Sequence, residues 1–256
     1  MSNIINPYRF GAAAPPGFTN TYSAALDGTG DYVSTMFDPN GSIGDGDYTY
    51  AWWFKLDTVA PSFQTIMYMG NSAASWDYNH CGIVSNKIKV TNRVGGYDTV
   101  AFTDPTVLSI DTWYHAAMVR QKSPWSWIMT FYLNATVATS PSGTWTSDYN
   151  GADFSTSSAL LIGEWWSGGY STDGKIDEVA IWNVALDSAN IKAIYNSGDP
   201  TDLTTDSGDY DQSSDLIMYL RMGDDNSGSG TDVTDASGNS NDGTLENGAA
   251  FEADAP

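Results

Sequence analysis

The chain is short of positive charge, cysteine, histidine and glutamate. Only 10 of its 256 residues are Lys or Arg, against 31 Asp and Glu, which gives a formal net charge of −21. A field of that sign repels phosphate backbones and anionic lipid heads, so nucleic acid and membrane surfaces are excluded as expected partners. Cys81 is the single cysteine, and no intrachain disulfide can form. A thiolate nucleophile would need a base, and the only histidines are His80 and His115. His80 adjoins Cys81, but neighbours on a strand point to opposite faces, so Cys81 reads as a buried structural residue. No stretch approaches the roughly 18 consecutive apolar residues of a membrane-spanning helix. Residues 1–16 lack the basic start and apolar run of a Sec-type leader, which predicts synthesis without one and, for work outside cells, another route of exit.

What is present points to a β-rich unit. An apolar fraction of 41%, with 13% aromatic, supplies a sizeable core and argues against disorder despite the charge. The length suits one large sandwich as well as two small domains. The acids divide into 27 Asp and 4 Glu. Asp favours turns and metal-binding loops, whereas Glu favours helix surfaces. Such loops either keep the protein soluble or hold hard cations.

Residues 1–20 mix Pro, Gly and Ala with the apolar anchors Ile4, Ile5, Tyr8 and Phe10, and read as an extended arm that lies on the domain or on a neighbouring subunit. From residue 21 onward the pattern alternates strand and turn. Tyr48, Tyr50, Trp52, Phe54 and Leu56 occupy every second position, with Thr49, Ala51, Trp53 and Lys55 between them. Further strands are expected at Thr65–Met69, Gly82–Val84, Ile88–Val94, Thr99–Phe102, Tyr114–Arg120, Met129–Leu133, Thr136–Ala138, Leu160–Ile162, Ile176–Trp182 and Leu216–Met222. Asn40-Gly41, Gly46-Asp47, Gly95-Gly96 and Asn150-Gly151 punctuate them as turns. One helix is predicted, capped by Asp187, with Ile191, Ile194 and Tyr195 on one face and Gly198 at its end. Residues 199–215 read as a linker or long loop. Residues 216–256 are too few to bury a core alone and are expected to complete the same domain, 21–256.

Four segments, in order, resemble the laminin-G-like branch of the concanavalin A-like lectin/glucanase superfamily. They are the opening Ala25–Val33 (ALDGTGDYV), the strand Tyr48–Lys55 (YTYAWWFK), Asp111–Ala117 (DTWYHAA) with Phe131–Asn134 (FYLN) after it, and Leu161–Gly163 (LIG) followed by Gly174–Leu186 (GKIDEVAIWNVAL). Together they span about residues 22–198. The resemblance implies an all-β fold: a concanavalin A-like jelly-roll sandwich of two antiparallel sheets with one short helix. A fifth segment, Tyr219–Met222 (YLRM) and Val233–Leu245 (VTDASGNSNDGTL), is similar to a unit that opens the domain in most relatives. Here it closes it, which looks like a circular permutation. The tail then either folds back into its own domain or completes a neighbour in a swapped assembly. The arm, the acidity and the expected lack of a leader are similar in style to structural proteins of marine phages. That likeness implies a virion or extracellular setting, other virion subunits as partners of the arm, and an oligomer or larger assembly.

Glycoside hydrolysis needs two carboxylates flanking the scissile bond. Asp177 and Glu178 are neighbours, and strand alternation assigns them to opposite faces; Glu164, Glu246 and Glu252 have no partner at strand spacing. His115, inside its strand, reads as a satisfied core residue. The chain is therefore expected not to be an enzyme. Calcium, as a structural ion, has candidate ligands in Asp27, Asp31, Asp177, Glu178, Asp235, Asn239 and Asp242, which are neighbours in space in relatives. The competing reading of Asp27, Asp235 and Asp242 is that they stabilise turns. Aromatic residues between strands, Trp76, Tyr78, Trp125, Trp127, Trp145, Tyr149, Trp165, Trp166 and Tyr170, offer faces on which pyranose rings stack. Trp76, Trp125, Trp165, Trp166 and Tyr170 are the expected carbohydrate-binding residues. The function expected is a non-catalytic module recognising a glycan or cell-surface polysaccharide. A purely structural virion subunit is the alternative, and a glycoside hydrolase the third reading.

Overall fold

The computed structural model describes residues 17–44, 46–58, 63–70, 78–94, 97–103, 106–123, 127–138, 144–147, 159–165 and 168–256. Most of the expected N-terminal arm therefore lies outside the described residues. In chain order the strands are β1 Ser23–Asp27, β2 Tyr32–Thr35, β3 Tyr48–Leu56, β4 Gln64–Gly70, β5 Tyr78–Val84, β6 Lys87–Val94, β7 Tyr97–Thr103, β8 Trp113–Lys122 and β9 Trp127–Leu133. They continue as β10 Thr136–Val137, β11 Thr144–Ser147, β12 Ala159–Ile162, β13 Asp173–Trp182, β14 Leu216–Leu220, β15 Asp232–Val233, β16 Gly243–Glu246 and β17 Ala250–Glu252. A single turn, α1 Pro39–Ser42, precedes β3, and the helix α2 Ser188–Tyr195 follows β13.

The strands form two antiparallel sheets. One runs β10-β9-β8-β3-β13-β1-β17, with β11 also on β9 and β14 on β13; the other runs β15-β16-β2-β12-β4-β5-β6-β7. The even-numbered residues of β3, from Tyr48 to Leu56, enter the core between the sheets with Ile66, Met69, Cys81, Ile83, Phe131, Ile176 and Ile181. Every residue of β3 is buried, its odd-numbered ones included. The reason is a second apolar cluster on the outer face of the first sheet. There Ala51, Ala117, Val119, Ala180 and Trp182 pack under Ile191 and Ile194 of α2 and under Leu203 and Tyr210.

Of the two readings of residues 199–215, linker or long loop, the structure shows a long loop packed on the sheet: the Trp182 indole Nε1 donates to the Tyr210 hydroxyl at 3.0 Å, which donates to the Leu203 carbonyl at 2.8 Å. Helix α2 begins as expected, with Asp187 Oδ1 accepting from the Ala189 and Asn190 amides at 2.9 Å each. It ends earlier than Gly198, because Asn196 takes a left-handed conformation (φ 44°, ψ 42°) and donates its amide to the Lys192 carbonyl. Trp127, expected in a loop, opens β9 and is buried with the Arg120 guanidinium 3.6 Å above its ring.

The last strands interleave with the first. β14 pairs with β13, β16 extends the second sheet beside β2, and β17 lies beside β1. The C-terminal segment is tied down by Asp254, which pairs with Lys55 and, at 3.5 Å, with Lys175. On the outward side of β4, β5 and β6 the side chains Tyr68, Tyr78, His80 and Thr91 are themselves buried, and a cleft forms beside them.

Candidate functional site

Alternation along β4, β5 and β6 turns Tyr68, Tyr78, His80, Lys89, Thr91 and Arg93 away from the core, while Met69, Cys81, Ile83, Ile88 and Val90 point into it. Phe63, Tyr78, His80, Lys89, Thr91, Trp165 and Tyr170 line a cleft of about 240 Å³. Its aromatic groups pack on one another. Trp165 lies 4.9 Å from the His80 ring, 5.1 Å from Tyr78 and 5.1 Å from Tyr68, centroid to centroid. Phe63 sits 4.6 Å from His80 and meets Tyr170 edge-on at 5.5 Å. Gly82, under Phe63, leaves room for this arrangement: a Cβ there would stand 2.5 Å from the Gln64 carbonyl oxygen and 2.9 Å from the Phe63 ring.

The loop from Gly163 to Tyr170 presents Trp165 and Tyr170, and its backbone is clamped at both ends. Gly163 (φ 92°) donates to the Ile66 carbonyl and accepts from the Thr172 amide, each at 2.8 Å; a Cβ at 163 would lie 2.3 Å from Leu26 Cδ1. Glu164 is buried and turns its carboxylate back to the Gly169 amide at 3.2 Å. Tyr170 is held at φ 57°, a conformation costly for a side chain of its size, while its carbonyl accepts from Thr65 at 2.6 Å. The ring is left 57% exposed, so the chain spends backbone strain to hold an aromatic face in solvent.

Burial lowers the pKa of His80 to about 3, with the charge of Lys89 adding to the effect. His80 is therefore neutral in the cleft, and its Nε2 lies 3.3 Å from the Thr65 hydroxyl. Lys89 is the positive group among the described lining residues. His115 is also buried and pushed down to about 3, packed between Trp53 and Tyr195. It is not the satisfied residue expected, since its Nδ1 has no hydrogen-bond partner among the described residues.

Asp177 and Glu178 do not point apart as alternation predicts. Glu178 adopts φ 49° at a bulge where the register of β13 against β3 shifts between Asp177 and Ala180. Ile176 and Val179 both reach the core, so both carboxylates lie on the outer side. Asp177 accepts from the Asn20 side chain at 3.0 Å and from the Glu178 amide at 2.8 Å. Glu178 accepts from the Tyr219 hydroxyl and from Arg221 Nε at 3.3 Å. Arg221 also pairs with Asp224 at 3.0 Å, and Asp224 takes the Thr21 and Tyr22 amides at 2.9 and 3.2 Å. Burial, then repulsion from Glu178, holds the Asp177 carboxyl well above the usual carboxylate range; burial lifts Glu178 to about 7. This closed network joins residues 19–22 to the tail. Nothing the size of a sugar reaches it, since Asp177 is 0% and Glu178 4% exposed.

The seven expected calcium ligands fall in three local groups, and several of their oxygens accept from protein donors. Asp27 Oδ1 accepts from the Thr29 amide at 2.8 Å, and Asp31 Oδ2 from the Asp27 amide at 3.1 Å. Asp235 accepts from the Tyr219, Ser237 and Asn241 amides at 2.8, 3.0 and 2.9 Å, and donates its own amide to Asp242 Oδ1 at 2.8 Å. Asn239 spends its side-chain amide on the Leu216 carbonyl at 3.1 Å. Calcium needs six to eight converging oxygens. Among the described residues no three carboxylates, imidazoles or thiols come together to hold a metal ion. The donor set thus fits turn stabilisation better than a cation cage.

Of the expected carbohydrate-binding residues, Trp165 and Tyr170 meet in the cleft, whereas Trp76, Trp125 and Trp166 lie outside the described residues. Phe63, Tyr68, His80, Lys89 and Thr91 were not singled out from the sequence. The signal that finds them is alternation on β5 and β6, which puts a histidine and a lysine on the face opposite Cys81 and Val90.

Residues 27–192 match the sequence profile of the laminin-G-like type of the concanavalin A-like lectin/glucanases superfamily. The chain belongs to this superfamily. No curated protein sequence matches it. Among solved structures, this superfamily domain is similar to a Bacteroides ovatus protein assigned as carbohydrate-binding, with a TM-score of 0.65 at 18% identity over 92% of the chain. The chain spans 60% of that protein's length. It is also similar to the heptameric SAP-like pentraxin of Limulus polyphemus, with a TM-score of 0.52 and 16% identity over 69% of this chain and 82% of that one. A third similar structure is the CBM40 of a Ruminococcus gnavus sialidase bound to α2,3-sialyllactose, with a TM-score of 0.52 and 13% identity over 68% and 96% of the two chains. At these identities the likeness is one of fold.

Proposed function

We propose that this domain binds carbohydrate without transforming it, in the cleft between Trp165, Tyr170 and His80. The observation that carries the reading is Tyr170: a strained, half-exposed aromatic ring beside Trp165 at the mouth of a cleft of about 240 Å³. Aromatic faces stack on the apolar faces of pyranose rings, and the Lys89 ammonium in the cleft lining is placed to meet hydroxyls. Binding without catalysis is supported by the described lining residues, none of which is a carboxylate. A retaining hydrolase needs two about 5–5.5 Å apart across an open bond, and Asp177 and Glu178 are sealed off from solvent. The carbohydrate-binding and sialyllactose-bound relatives lend the fold a precedent.

We extend the reading to a surface setting, extracellular or on a virion, with residues 1–20 as the arm that meets neighbouring subunits. A net charge of −21 supports it, because it discourages non-specific adhesion to nucleic acid and anionic lipid. No helix among the described residues is long and apolar enough to cross a membrane. The test is a broad glycan array probed with the wild type and with Trp165→Ala, in calcium and in EDTA. Hits that disappear in Trp165→Ala and persist in EDTA are expected. No hit under any condition, together with a sharply defined oligomer by light scattering, would replace this reading with that of a structural subunit.

A further inference from the structure

The distribution of charge over β4, β5 and β6 is opposite to that of the chain. The sequence holds 31 acidic residues, yet β4, β5 and β6 contain no Asp or Glu. Three of the 10 basic residues, Lys87, Lys89 and Arg93, fall within β6 at positions that alternate outward. Three cations elsewhere are matched by acids. Lys55 pairs with Asp254, Lys175 with Glu252 at 3.2 Å, and Arg221 with Glu178 and Asp224. Lys89 lines the cleft and makes no ion pair with any described residue. The guanidinium of Arg93 lies over the outer part of the same wall, 5.9 Å from the Tyr78 ring centroid. Glu164, the one acid on the loop that carries Trp165, is turned behind it to the Gly169 amide.

We infer that the cleft selects acidic saccharides, with the Lys89 ammonium taking a carboxylate or sulfate of a sugar whose ring stacks against Trp165 and Tyr170. This rests on the carbohydrate reading above and adds the substrate class to it. The physical reason is selection by contrast. A chain of net charge −21 repels polyanions over most of its surface, so an ammonium beside a stacking platform accepts an acidic sugar in one register. A neutral sugar gains from Lys89 only a hydrogen bond to a hydroxyl, while an acidic one gains an ionised acceptor for the same ammonium inside a partly desolvated wall. His80 stays neutral and buried beneath the rings, which leaves the charge recognition to Lys89.

Calorimetric titration with three probes of equal length tests this: a tetragalacturonate, a sulfated galactan tetrasaccharide and neutral galactotetraose. At least one acidic probe is expected to bind about tenfold more tightly than the neutral one, the scale of a charge-assisted hydrogen bond, with the advantage shrinking at high salt. Which acidic probe wins separates carboxylate from sulfate recognition. Lys89→Gln should bring the acidic probe down to the neutral level, whereas Lys87→Gln, the same charge change on the same strand outside the cleft, should not. A thermal melt of both variants shows that each is folded. Equal binding of neutral and acidic probes, or equal losses in the two variants, overturns the inference and leaves carbohydrate binding standing. No binding of any probe, by a wild type that also fails on the array, overturns both.

Discussion

Replacing Glu178 by Gln should stabilise the domain at neutral and alkaline pH and leave it almost unchanged near pH 4. Burial raises the Glu178 carboxyl from its ordinary 4.5 to about 7, against the opposing pull of Arg221 and the Tyr219 hydroxyl. The folded state thus keeps this proton longer than the unfolded chain does. Its contribution to stability is complete below about pH 4.5 and is lost as the pH rises through 7. At roughly 1.4 kcal/mol for each pH unit the loss is about 3 kcal/mol, or about 6–12 °C in melting temperature for a domain of this size. Gln has partners waiting. Its amide can donate to the Tyr219 hydroxyl, which has the Thr201 carbonyl at 3.3 Å for its own proton. Arg221 retains Asp224. The assay is urea unfolding of wild type and Glu178→Gln from pH 4.5 to 8.5 at constant ionic strength. Taking the difference between the two proteins removes the general self-repulsion of an acidic chain. A flat difference would refute the argument. A variant that loses ground to the wild type as pH rises would show that attraction to Arg221 outweighs burial.

Two other substitutions examine the roof and the cleft. Trp182→Phe leaves the Tyr210 hydroxyl without its indole donor in a buried cluster, and should cost about 1–3 kcal/mol by denaturant titration while sparing glycan binding. Unchanged stability would mean that residues 199–215 do not brace the first sheet. Tyr170→Gly relieves a left-handed conformation worth about 1 kcal/mol while removing the exposed ring, so the melting temperature should hold or rise as glycan affinity falls. A variant that melts lower and binds normally would place the role of Tyr170 in packing.

The sandwich was legible because alternation is a local signal. Tyr48 to Leu56 declares its two faces, and the superfamily segments recur in order. The cleft was less legible, because its parts lie on separate strands that only pairing brings together. His80 and Lys89 are nine residues apart in sequence and read individually as a strand histidine and a surface lysine. Loop aromatics were a fair guide to Trp165 and Tyr170, yet Trp127, judged by the same rule, is buried under Arg120. The Asp177–Glu178 pair escaped for a different reason. A residue at φ 49° inside a strand breaks the two-residue period on which the reading depends, and nothing in Asp-Glu-Val announces it.

The interleaving of the last strands with the first has a consequence for how this domain is made. β1 lies between β13 and β17, and β2 between β12 and β16. Until residues 243–252 have left the ribosome, both early strands keep one open edge, and open edges recruit other chains. The nascent polypeptide cannot complete its folding piece by piece from the front; it must wait for its tail and then close over a sequence separation of more than 200 residues, as between Thr21 and Asp224. Folds built on such distant pairings form slowly. A strongly negative chain is well suited to that wait, because mutual repulsion keeps unfinished copies apart while their edges are still exposed.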